Sequence, residues 1–104
     1  MRWYEKIINC LTKITDQVSH IEHMQSERYI VWNERGYNDF VTGGKHAEKC
    51  YLAAVDLYTK QEFDPWIEQI EKEFENADFA WSLNSMQIEE DTGFFHYEWY
   101  IEVI

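Results

Sequence analysis

Apolar side chains recur at Tyr4, Ile7, Ile8, Leu11, Ile14 and Val18, the spacing of one helical stripe, and predict a helix over about residues 3–17. Residues 19–26 are polar and interrupt it. Tyr29-Ile30-Val31-Trp32 is a short β-prone run, expected to end before Gly36, and the glycine, Asn and Asp content of residues 36–44 predicts a loop. Residues 49–59 then alternate as a half-covered strand. Cys50, Leu52, Ala54, Asp56 and Tyr58 fall on one face, and Tyr51, Ala53, Val55 and Leu57 on the other. Asp64-Pro65 is a helix start, with Asp as N-cap and Pro at the first helical position. Trp66, Ile67, Ile70, Phe74 and Ala77 form the stripe that follows.

The last 24 residues are the most strongly patterned. Residues 80–88 and 94–104 read as two strands of a hairpin around the acidic turn Glu89-Glu90-Asp91-Thr92-Gly93. On the final strand Phe95, Tyr97, Trp99, Ile101 and Val103 make an apolar face; Phe94, His96, Glu98, Tyr100, Glu102 and Ile104 make a mixed one. A strand so apolar is expected to be paired on both edges or packed against a partner. The order is roughly α-β-β-α-β-β, a single α+β domain over residues 1–104 with a mostly antiparallel sheet flanked by two helices.

Composition supports one domain with a real core: 104 residues, 45% hydrophobic and 17% aromatic. There is no apolar run of transmembrane length and no signal-peptide pattern at the start, so the expected compartment is the cytosol, with Cys10 and Cys50 as buried, reduced thiols. The net charge of −11 is unevenly spread. Residues 1–61 hold eight acids and eight bases; residues 62–104 hold twelve acids and a single base, Lys72. Such a half repels duplex DNA and anionic membranes, which argues against ordinary nucleic-acid binding. Glu68, Glu71, Glu73 and Glu75 are expected on the outer face of the second helix, where their mutual repulsion is a modest cost.

Candidates for catalysis or metal binding fail on spacing. His20 and His23 lack a second ligand pair, and the four-residue spacing of His46 and Cys50 suits ligands only on a helix. Residues 89–91 lack the spaced acids of a calcium loop, and Gly43-Gly44-Lys45 lacks the rest of a phosphate loop. Neither cysteine has an adjacent base. No catalytic residue, metal or cofactor is expected. The five tryptophans and seven tyrosines exceed the needs of a core this small, and such residues are enriched at interfaces. Trp3, Trp66, Trp81 and Trp99 are expected in the core. Trp32, Tyr37, Asp39, Phe40, Glu89, Glu90, Asp91 and Tyr100 are the candidate interaction residues.

The words Tyr29-Ile30-Val31-Trp32, Lys45-His46-Ala47-Glu48-Lys49, Val55-Asp56-Leu57-Tyr58-Thr59-Lys60, Trp81-Ser82-Leu83-Asn84-Ser85 and Glu89 to Trp99 resemble small tail-completion proteins of tailed phages and prophages of Gram-positive bacteria. The likeness covers most of residues 28–99. It implies a tail terminator or head-to-tail joining protein of a siphophage virion: a compact α+β subunit, made in the host bacterial cytoplasm, that forms a ring, typically a hexamer. Such a ring caps the tail tube and offers a docking surface to the head-completion or connector protein. The resemblance implies no cofactor, no sequence-specific nucleic-acid binding and no membrane. A ring around a DNA channel needs a lumen that does not hold phosphates, and Glu68, Glu71 and Glu75 are the candidates to line it. Size and charge fit a second class equally well, an acidic DNA mimic that occupies a host nuclease or repressor.

Overall fold

A computed structural model describes residues 1–42 and 45–104, with side chains for all of these except 38–42 and 45–48. The candidates Asp39 and Phe40 therefore lie, in their side chains, outside the described residues. Among the described residues the chain forms α1 (Trp3–Thr12), β1 (Val18–His20), β2 (Arg28–Thr42), β3 (Lys45–Thr59), α2 (Trp66–Asn76), β4 (Ala80–Glu89) and β5 (Phe94–Val103). The fold is α+β. The strands make one sheet in the order β1-β2-β3-β5-β4, antiparallel except for β1 against β2. β5 is paired on both edges, by β3 and β4, as its apolar pattern requires.

Both helices lie on one face of the sheet. Ile7, Cys10 and Leu11 of α1 and Ile70 and Phe74 of α2 close over Ile30 and Trp32 (β2), Ala53, Val55 and Leu57 (β3), and Tyr97, Trp99, Ile101 and Val103 (β5). These strand residues are every second position, so alternation alone assigns them to the core. Each buried Ile, Leu, Val and Phe side chain among them contributes about 1.5–3 kcal/mol by leaving water.

Three predicted boundaries move. α1 ends at Thr12 and does not reach residue 17: the Thr12 hydroxyl turns back to the Ile8 carbonyl, 2.8 Å away, and Lys13 caps the helix. Val18, the last residue of the predicted stripe, belongs to β1, a strand the polar run concealed. The Gln17 carbonyl accepts the Ile30 N–H and the Trp32 carbonyl accepts the Ile21 N–H, tying β1 alongside β2. The predicted loop over 36–44 is instead strand as far as Thr42, and β3 begins at Lys45. Register breaks between Glu34 and Gly36 and between Phe40 and Val41 absorb the irregular residues, and Gly36 takes φ +132°, a value that needs glycine.

The second helix begins as its sequence predicts. Asp64 Oδ1 accepts the Trp66 N–H at 2.8 Å, and Pro65 already has helical dihedrals. At the other end Asp78 adopts φ +63°, the Phe79 N–H bonds to the Phe74 carbonyl and the Asp78 N–H to the Glu75 carbonyl. This is a Schellman closure, and its apolar contact is Phe74 against Phe79 at 6.3 Å between rings.

Candidate assembly surfaces

Beyond the Tyr37–Tyr51 pair, β2 and β3 pair only with each other among the described residues, because β1 covers Ile30 to Trp32 and β5 pairs with β3 from Tyr51 to Thr59. The remainder is a two-stranded arm: from Asn38 to Thr42 it runs on for about 17 Å at about 3.3 Å per residue. It makes the molecule 51 Å long but only 24 and 22 Å across. Its root is held by a line of aromatic rings. Trp3 meets Trp32 edge-on and stacks in parallel on Tyr51 at 4.5 Å, and Tyr51 lies 6.1 Å from Tyr37. Tyr37 is 57% exposed, with the Lys49 ammonium over its ring.

Of the other candidates, Trp32 is a correction. It is 4% exposed and belongs to the core, since its even position on β2 turns it under α1. Tyr100 is half-buried, with the Arg35 guanidinium 3.5 Å above its ring. Beside them lies a hollow of about 350 Å³ that Glu102 and Ser82 also line. Glu90 and Asp91 stand exposed in the β4–β5 turn, which Gly93 completes at φ +76° by donating its N–H to the Glu89 carbonyl.

Glu89 faces inward, towards a polar cluster on the helix-free side of the sheet. His96 Nε2 lies 2.7 Å from Asp56 Oδ1, and its Nδ1 is 3.6 Å from Glu89. The imidazole stacks on Tyr58 at 4.2 Å, Tyr58 stacks on Tyr29, and His23 bonds to the Tyr29 hydroxyl. Burial of the His96 ring opposes its protonation, but Asp56, Glu89 and Glu98 outweigh that and raise its pKa above the ordinary histidine value. Burial, with Asp56 adding, likewise pushes the Tyr58 hydroxyl up. The cluster is filled by its own stacked rings and acts as a clamp between β3, β5 and the turn.

The acidic face of α2 is only partly free. Glu71 accepts the indole N–H of buried Trp99 at 2.9 Å and Glu75 that of half-buried Trp81 at 2.8 Å, so two of the three lumen candidates hold tryptophans that pack in or against the core. Glu68 and Glu75 are exposed, and Glu71 is half-buried. Sequence reasoning missed this although the signal was present: a buried indole N–H needs an acceptor. It also missed the Asp64 hub. That carboxylate is buried and accepts from Arg28 Nε at 2.8 Å, from Arg28 Nη2, from the Thr59 hydroxyl at 2.7 Å and from the Trp66 N–H. Burial pulls its pKa upward, and those bonds more than offset the pull, leaving it below the ordinary carboxylate value.

Two sheet edges complete the surface. The outer edge of β4 has no neighbour among the described residues, and Leu83, Met86 and Ile88 on it are 47%, 63% and 64% exposed. At the opposite edge, beside β1, Trp3, Tyr4, Ile8, His20, Trp32 and Glu34 line a largely apolar groove of about 330 Å³. There His20 Nε2 meets Glu34 and holds that carboxyl below its ordinary value. Cys10, on the buried face of α1, is pushed up to about 12 by burial, with Glu73 adding to the shift, so its thiol stays protonated at neutral pH. No helix among the described residues is long and apolar enough to cross a membrane. No family model matches the chain, and no curated protein matches it.

Proposed function

We propose that the chain is a virion structural protein of a tailed phage, a ring-forming tail-completion subunit that caps the tail tube and joins it to the head. The observation that carries this reading is the two-stranded arm. An isolated hairpin is marginal in water, so one that projects about 17 Å past its sheet, at about 3.3 Å per residue, is most useful where a neighbour covers it. Assembly proteins use such arms to reach the next subunit or the structure they cap. The aromatic line from Trp32 to Tyr37 anchors the arm to the domain and lets a load on it be borne by the core.

The charge distribution supports the same reading. A ring through which DNA passes must not bind phosphate, and Glu68 with the exposed Glu90 and Asp91 would give a lumen or rim that repels it. The partners would be further copies of the chain, the tail-tube protein and the head-side connector, in a virion assembled in the host cytoplasm. The test is to polymerise tail-tube protein with and without the purified chain. Tubes should stop growing and carry a ring at one end. Tubes that lengthen unchanged, or a chain that instead binds basic DNA-binding proteins as a monomer, would overturn the reading.

A further inference from the structure

The proposed ring leaves open which surfaces join the copies, and the following rests on that reading. Among the described residues the sheet ends in two open edges, and both carry apolar side chains on the same, helix-bearing side. On β4 these are Leu83 and Met86; at the β1 edge they are the groove residues Tyr4 and Ile8 of α1, 36% and 37% exposed. β4 has neither lysine nor proline to discourage pairing, only the register break between Leu83 and Ser85. Strand directions also suit a continuous sheet. β4 runs opposite to β5 and so opposite to β2 and β1, and would meet the next copy's β1 antiparallel.

Heights match as well. Reading the pairing across the sheet, Met86, Tyr97, Leu57, Ile30 and Val18 lie at one level. Ser85, Glu98, Asp56, Val31 and Ser19 lie at the next, and Leu83, Trp99, Val55, Trp32 and His20 at the one after. A closed ring has no rise per subunit, so strands along its axis meet at their own height. That sets Leu83 beside the groove and Ser85 beside Ser19. Charge selects the head-to-tail arrangement over a two-fold one. Pairing β4 with β4 would bring together two halves that each hold twelve acids and one base, whereas residues 1–42 hold six acids and five bases.

We infer that the copies join edge to edge, β4 of one against β1 of the next, with Leu83 seated on the groove of Tyr4 and Ile8. The test uses the full chain with Ser19→Cys combined in turn with Ser82→Cys, Ser85→Cys or Gln87→Cys, all on the helix-free side, oxidised at high concentration. The two cysteines of one copy stand four strand spacings apart, about 19 Å, and cannot bridge each other. The expected result is a ladder of covalent oligomers up to the ring, strongest with Ser85→Cys. Met86→Glu, on an exposed edge and with an unchanged far-UV circular dichroism spectrum, should abolish it. Rings seen by electron microscopy with no ladder from any pair would overturn the edge pairing and leave the ring reading intact. Covalent dimers from Ser85→Cys alone would overturn the head-to-tail arrangement. A chain that stays monomeric even with tail tubes present would overturn both.

Discussion

Replacing Asp64 by alanine should be among the most damaging single changes outside the apolar core. Its carboxylate joins the start of β2 through Arg28, the end of β3 through Thr59 and the first turn of α2 through the Trp66 N–H. Loss of the N-cap costs about 1 kcal/mol. The Thr59 side chain is fully buried and loses its acceptor, although the Gln61 N–H still bonds to its oxygen, so about 1 kcal/mol is expected there. The Arg28 side chain is 36% exposed and can turn to water, so its loss falls between a surface pair and a buried one, about 1–2 kcal/mol. The sum, about 3–4 kcal/mol, is a large part of the roughly 5–15 kcal/mol that holds a domain folded. Asp64→Asn keeps the cap and an acceptor for Thr59 and should cost about half as much. Urea unfolding followed by tryptophan fluorescence at neutral pH measures both. A cost below about 1 kcal/mol for Asp64→Ala, or equal costs for the two variants, would refute the hub. There is a pH signature too. A depressed carboxyl contributes stability above its unfolded value of about 3.9 that disappears as pH falls through the folded value, and Asp64→Asn should flatten that acid limb.

His96 has the opposite sign. Its pKa is raised, so the folded state holds the proton more tightly, and stability should decline as pH rises from about 6.5 through the folded value. Urea midpoints across that window should show the decline in the native chain and not in Asp56→Asn. Gly93→Ala meets nothing closer than the Lys60 ammonium at 3.7 Å, so its cost, about 1–2 kcal/mol by thermal unfolding, should come from the left-handed backbone alone. Asp78→Gly relieves a left-handed aspartate at the end of α2 and should stabilise by about 0.5 kcal/mol in the same assay.

How much the sequence revealed depends on how local each signal was. The β4–β5 hairpin and both faces of β5 were legible because period-two alternation and the acidic turn with Gly93 agree. The Asp64-Pro65 helix start was legible for the same reason. β1 was not, since three residues of Val-Ser-His carry no period and the strand exists only through its bonds to β2. The arm is hidden because Gly36, Asn38 and Asp39 are turn residues, and only the bulges reveal how a strand can absorb them. The burial of Trp32 has no local signal, because the cover that α1 gives it is tertiary. The words that carry the phage resemblance include Asp56, Tyr58, Thr59, His96 and Trp99, and the structure uses these to pack and clamp the sheet. They speak to the scaffold more than to the surface a partner meets.

A ring requires self-association, and the mass of the chain in solution measures that most directly. Light scattering across a concentration series, with electron microscopy of the largest species, should show growth from subunit to one closed ring of fixed size. A single subunit mass at every concentration, unchanged when tail tubes are added, would contradict it.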